Sequence, residues 1–219
     1  MIFVMSFNYL KEYFYTNTTL YMIIDINTLI AWGAAYKKVS SGEIIFSEGE
    51  ECYYYYQLVS GSVRWENIDE EGKEYIQTMI EPGECFGELP LFDDGPYAAS
   101  AIAEQDSVLI RLRKETFLQL LKENQSIHFL FTTLLAKLIR FKFLLTKSIA
   151  YQTPDLRILS LLKYLKKENK HFCPNCNQLK LTRQQIADMT GLRVETVIRS
   201  MRHMHDKGDL TIERGKVYL

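Results

Sequence analysis

The chain has 219 residues, 47% of them apolar, and 26 Lys+Arg against 27 Asp+Glu, enough material for a buried core and for one or two domains. Four cysteines in this length do not make a secreted disulfide scaffold. No run approaches the roughly 20 apolar residues of a membrane span, so the expected location is cytoplasmic. The net charge of −1 hides a split: residues 1–136 hold 9 Lys+Arg and 20 Asp+Glu (−11), and residues 137–219 hold 17 and 7 (+10). An acidic half joined to a basic half suggests a separate domain facing nucleic acid, because neutralising phosphates releases counterions.

The first residues, MIFVMSFNYLKEYF, lack the basic start and small-residue cleavage site of a signal peptide, and Met5 is as good a start as Met1. Residues 1–36 read as a helical lead-in, with Asp25 capping a short helix through about Ala35 and with Phe7, Tyr13 and Phe14 as packing residues. From Val39 to about Leu112 short apolar runs alternate with turn signals such as SEGEE, VSGSV, DEEGKE and EPGE. Tyr53–Val59, Val63–Ile68, Tyr75–Ile80 and Val108–Leu112 are enriched in β-branched and aromatic residues between these turns, which predicts strands of a β-roll. A histidine-lined roll of this kind could house metal-dependent oxidation, but no histidine precedes His128, which argues against a cupin-like enzyme.

Arg113–Asn124 reads as a short helix, and Ser126 as the cap of a longer one reaching Tyr151. Within it Ile127, Phe131, Leu134, Leu138, Phe141 and Leu145 recur at alternating spacings of four and three, the seam of a helix that pairs with another helix. This predicts a homodimer. Thr153-Pro154 starts a further helix, with Thr as N-cap and Pro at the first helical position.

Residues 182–207, TRQQIADMTGLRVETVIRSMRHMHDK, carry the most specific pattern. Thr182 and Gln185 form a capping box, Gly191 marks a sharp turn, and Val197, Met201 and Met204 recur at helical spacing. Glu195 and Arg199 then share one outward face, with Arg202 further along. Gly208 stops the helix, and DLTIERGKVYL reads as a hairpin turning at Arg214-Gly215. The whole is a winged helix-turn-helix expected to bind double-stranded DNA. Arg can bond the O6/N7 edge of guanine, and Glu can accept from cytosine N4. Thr182, Arg183 and Arg193 are expected at phosphates, as are Arg214 and Lys216 of the wing. The loop before this unit carries His171-Phe-Cys173-Pro-Asn-Cys176, whose spacing suits a zinc knuckle, a redox pair, or a plain surface turn.

In this order the parts resemble the Crp/Fnr family of bacterial transcription regulators. SGEIIFSEGEECYYYYQLVSGSV (41–63), PGECFGELPLF (82–92) and LTRQQIADMTGLRVETVIRSM (181–201) carry the resemblance. It implies an α+β fold with a double-stranded β-helix of jelly-roll type, a dimerisation helix and a winged helix-turn-helix, divided as 1–125, 126–151 and 152–219. It also implies base reading by Glu195 and Arg199 and a contact with RNA polymerase. Val194 stands where cAMP receptors carry Arg, so Fnr-like half-sites resembling TGA are expected, as an inverted repeat. The family's phosphate cassette maps onto Phe86, Gly87, Glu88 and Leu89. Its Arg-Ser pair, which grips a cyclic phosphate, falls on Tyr97-Ala98 or Ala98-Ala99, and the adenine-facing helix segment falls on Lys142-Phe143. A phosphate buried without a charged donor loses its strongest bonds, which argues against cAMP and leaves the effector unnamed. Cysteines grouped near the N-terminus for an iron–sulfur cluster are absent, the first being Cys52. A zinc- or redox-responsive switch at Cys173, Cys176 and His171 is the alternative reading of the input.

Overall fold

A computed structural model of the chain describes residues 22–219; Phe7, Tyr13 and Phe14 lie outside the described residues. Helix α1 (Ile26–Ala31) is capped by Asp25, whose carboxylate accepts from the Thr28 amide. Strands β1 (Ala35–Val39), β2 (Ile44–Phe46), β3 (Tyr54–Ser60), β4 (Val63–Ile68), β5 (Glu74–Ile80) and β6 (Cys85–Phe86) follow. After the short helix α2 (Pro90–Asp93) come β7 (Ser100–Ala103) and β8 (Ser107–Arg113). They form two antiparallel four-stranded sheets, ordered β1-β8-β3-β6 and β2-β7-β4-β5. The four strands expected from the sequence are present within a residue or so at each end. β1 begins at Ala35, where helix was expected to end, and β2, β6 and β7 were not foreseen. Runs as short as IIF and CF carry too little periodicity to announce a strand and form here by pairing with longer neighbours.

The first sheet is covered on both faces, and the side chains of β3 divide between them. Tyr56 points inward to Phe46 and Phe86, at centroid distances of 5.7 Å each. Tyr55 points outward and stacks on Phe117 at 4.7 Å. Gln57, fully buried, accepts from the Ile24 amide (3.0 Å) and donates to the Ile24 carbonyl (2.9 Å), which pins the residues before α1 to the sheet. Such pairing satisfies a polar side chain that would otherwise destabilise the core.

Phe117 lies in α3 (Lys114–Glu123), and α4 (Gln125–Tyr151) continues almost directly from it. Ser126 sits in the first turn of α4 and not at its cap; that position belongs to Asn124, whose side chain instead closes α3 by donating to the Leu120 carbonyl. At 27 residues α4 is about 40 Å long. The seam foreseen for a partner helix is largely spent within the chain. Phe131 is buried against the β-roll, and Phe141 and Leu145 are buried in a second core. The apolar side chains of α4 left outward are others: Phe129, Ile139, Phe143 and Ile149.

The second core joins α5 (Pro154–Lys167), α6 (Arg183–Thr190), α7 (Val194–Asp206) and the hairpin β9 (Thr211–Glu213)–β10 (Lys216–Tyr218). It also takes Ile76 and Met79 from β5, so the C-terminal unit packs directly on the β-roll. Among the described residues no helix is long and apolar enough to cross a membrane.

Candidate nucleic-acid interface

Helix α6 starts at a complete capping box: the Thr182 hydroxyl accepts from the Gln185 amide (3.1 Å), and the Gln185 side chain accepts from the Thr182 amide (2.9 Å). It ends at Gly191, whose φ of +65° is the left-handed turn that a side chain would resist. Arg193 then occupies the N-cap of α7 without a side-chain bond, leaving its guanidinium exposed. Val197, Met201 and Met204 are buried, and Val194 is half-buried at the start of the helix. This periodicity turns Glu195, Ile198, Arg199, Arg202, His203 and Asp206 onto one open face lining a groove of about 540 Å³. His203 Nδ1 lies 2.6 Å from the Asp155 carboxylate at the start of α5, which braces that face from the side.

Two of the residues expected at phosphates are already engaged. The Thr182 hydroxyl is held in the capping box, and Arg183 donates to the Gly215 carbonyl at 3.1 Å, tying α6 to the turn of the wing. Gln185, which sequence reasoning treated only as a capping residue, also donates to Glu104 of the β-roll (3.1 Å). Glu104 is paired in turn with Arg64 at 2.8 Å. Arg214 and Lys216 are exposed at the wing, where Arg214 has a φ of +48° in the tight turn before Gly215.

The residues expected around an effector separate into two places. Glu88, Leu89 and Phe143 line a cavity of about 570 Å³ between the β-roll and α4, together with Trp65, Leu135, Leu138, Ile139, Lys142 and Thr146. Tyr97 is not there: it is buried inside the roll, stacked on Phe46 at 3.7 Å. Ala98 points outward, while Ala99 is buried and its carbonyl accepts from the Trp65 indole (3.1 Å). Neighbouring residues of an extended segment face opposite sides, so a register doubtful by one residue could not be settled from sequence. Gly87 has a φ of +68°, and a Cβ there would stand 2.6 Å from Phe46 Cζ, so only glycine lets the chain turn past that ring. Trp65 is the lining residue that sequence reasoning missed, because it comes from β4 on the other side of the cavity; Lys142 falls in the helix segment already expected there.

Burial pushes the Glu88 carboxyl up to about 7, against a backbone hydrogen bond that favours its ionised form. Burial pushes Lys142 down, with Glu88 opposing that effect. Because the folded chain holds the Glu88 proton more tightly than the unfolded chain, stability falls as pH rises from about 4.5 through 7. The loss above that window is on the order of 3 kcal/mol. Glu88→Gln removes the charge, so urea denaturation of the variant and the wild type is expected to diverge in favour of the variant between pH 5 and 8. Parallel pH profiles would show that Glu88 is not the buried titrating group.

The cysteine loop is the tip of a hairpin in which Phe172 pairs with Leu179, and Leu179 donates to the Val217 carbonyl (2.8 Å), extending the wing sheet. His171 does not join Cys173 and Cys176. It is buried, with Nδ1 and its backbone amide each 3.1 Å from Glu81 of the β-roll, and this contact holds Glu81 below the usual carboxylate range although burial pushes it up. Among the described residues no group of three or more His, Cys, Asp or Glu is placed to hold a metal ion.

A β-roll, a long helix and a winged helix-turn-helix with a charged outward face define a DNA-binding regulator of two domains. Known families agree with that class. A cyclic nucleotide-binding domain matches residues 36–124, and a Crp-like helix-turn-helix domain matches residues 156–219. The cAMP-activated global transcriptional regulator CRP of Pasteurella multocida is 30% identical over 172 residues, covering 78% of this chain and 82% of that protein. Among solved structures, FixK2 from Bradyrhizobium japonicum superposes with a TM-score of 0.71 at 22% identity, covering 85% of this chain and 92% of that one. A CooA mutant from Carboxydothermus hydrogenoformans superposes with a TM-score of 0.74 at 18% identity, covering 93% and 92%. The chain belongs to the Crp/Fnr family of transcription regulators, a family of DNA-binding factors and not of enzymes.

Proposed function

We propose that the protein is a cytoplasmic, homodimeric regulator that reads a TGA-like inverted repeat through Glu195 and Arg199 and is controlled by something other than cAMP. The observation that carries this reading is the outward row of Glu195, Arg199 and Arg202 on α7, held by a fully buried opposite face. Arg193 and the wing residues Arg214 and Lys216 are exposed on either side of it, as phosphate contacts would be. Pairing of two copies is supported by α4, where Ile139 is 57% and Phe143 73% exposed. These apolar side chains gain from burial against a second copy of the same helix. Contact with RNA polymerase follows from the family alone.

The case against cAMP rests on charge. The relative from Pasteurella multocida is named for activation by cAMP, but among the described residues the cavity beside Glu88 offers Lys142 as its one cation, and that amine also donates to the Gln77 side chain. Inside the roll, Phe46, Tyr56, Phe86 and Tyr97 stack on one another. A cyclic phosphate would meet the buried Glu88 carboxyl in that cavity and packed aromatic rings inside the roll.

Fluorescence anisotropy at fixed, moderate salt, with a duplex carrying the inverted repeat and a scrambled duplex, tests the output. Tight binding of the repeat without added cAMP is expected, with one dimer per duplex by light scattering. Equal affinity for both duplexes, or a monomer at micromolar concentration, would overturn the reading.

A further inference from the structure

Among the described residues that line the groove of α7, Ile198 is the one apolar side chain. It lies three residues after Glu195 and four before Arg202, the two separations at which side chains on a helix are neighbours, and directly precedes Arg199. Its side chain is 37% exposed, so it stands in the open row and not behind it. The core does not need it. Val197, Met201 and Met204 fill the inner side of α7, and Ile198 is not among the partly buried apolar side chains packed against that core, as Val194 and Leu192 are.

A lone exposed isoleucine is ordinary on a protein surface. In the middle of a face that meets DNA it must be matched, because it displaces water from whatever it touches. Against a phosphate or a polar base edge it would strip hydrogen-bonding groups of their water and return nothing. The major groove has one apolar feature, the C5 methyl of thymine. Isoleucine is also stiff at χ1 in a helix, so its methyl groups are already placed and little side-chain entropy is lost on contact.

We infer that Ile198 is a specificity-determining residue that reads a thymine methyl by apolar contact. The role rests on the proposed function, with α7 in the major groove and Arg199 on a guanine. Because Ile198 is next to Arg199 in the helix, its thymine belongs to a base pair flanking that guanine. A TGA-like half-site has a thymine on either side: the one before the guanine, and the one paired with the adenine after it.

Deoxyuridine lacks only that methyl group and pairs with adenine in the same way, so it removes the contact without changing charge or hydrogen bonding. Each of the two thymines is replaced in turn, in both half-sites of the repeat, and binding of the full-length protein is read by fluorescence anisotropy at fixed salt. One of the two replacements is expected to weaken wild-type binding about fourfold for each half-site, the loss of one buried methyl group. Ile198→Ala is expected to bind the thymine and deoxyuridine duplexes alike, with the preference for the guanine and the thermal melt at wild-type values. Ile198→Val should keep part of the methyl preference. Wild-type binding indifferent to deoxyuridine at both positions, or a deoxyuridine penalty that survives in Ile198→Ala, would overturn the role of Ile198 and leave the reading by Glu195 and Arg199 standing. Equal affinity of the wild type for the repeat and a scrambled duplex would overturn both.

Discussion

Arg199→Ala is expected to remove most of the protein's preference for the inverted repeat over a scrambled duplex. A bidentate side-chain-to-base contact is worth about 1–3 kcal/mol of discrimination, and a dimer presents the residue twice, so the loss should be roughly a hundredfold or more. Glu195, four residues earlier on the same exposed face, should show the same loss at its own base position when changed to Ala. Arg214→Ala at the wing is the contrast: a phosphate contact weakens binding to both duplexes alike and lowers the salt slope by about one. Anisotropy titrations at two salt concentrations distinguish the cases. Loss of affinity by Arg199→Ala that is equal for both duplexes would reassign Arg199 to the phosphates. Both side chains are exposed and no described hydrogen bond of the fold depends on them, so the melt should stay at the wild-type value.

Phe131→Ala is expected to cost about 3–5 kcal/mol. The ring is fully buried, edge-on to Phe117 at 5.2 Å and 5.9 Å from Tyr55, so its removal leaves a void between α4 and the β-roll. In a chain of this size each kcal/mol moves the melting temperature by about 2–4 °C, which places the variant roughly 10 °C or more below the wild type. Ile139→Ala, eight residues along the same helix, removes a side chain that is 57% exposed in the single chain. At low protein concentration its melt should lie close to the wild type, while its dimer should dissociate at higher concentration. Comparable destabilisation by both substitutions in the monomer would mean that the two faces of α4 are not divided as described.

The C-terminal half was the more legible part, because its information is local. A capping box needs residues three apart, a left-handed turn needs one glycine, and the inward row of α7 needs only the helical repeat. These determine which side chains of α7 are left outward whatever surrounds the helix. The four longer strands were legible for the same reason, and β2, β6 and β7 were not, because runs of two to four residues are made strands by their partners.

What the sequence determined by itself is the order of parts, an acidic β-roll, a long apolar helix and a basic winged helix-turn-helix, together with the outward face of α7. Only the tertiary structure decided what each apolar stripe covers. The alternating four-and-three spacing of Ile127 to Leu145 states that one side of α4 must be buried, but periodicity carries no label for the neighbour. That side proved to serve two cores of the same chain, which leaves Ile139 and Phe143 exposed on the other. The cavity beside Glu88 was legible only in part on similar grounds, with Glu88, Leu89 and the Lys142-Phe143 segment expected and Trp65 not. Glu88, Trp65 and Lys142 come from separate elements, and a one-residue slip decides whether Ala98 or Ala99 faces inward. Burial then sets the charge of Glu88, and burial is a property of the assembled chain.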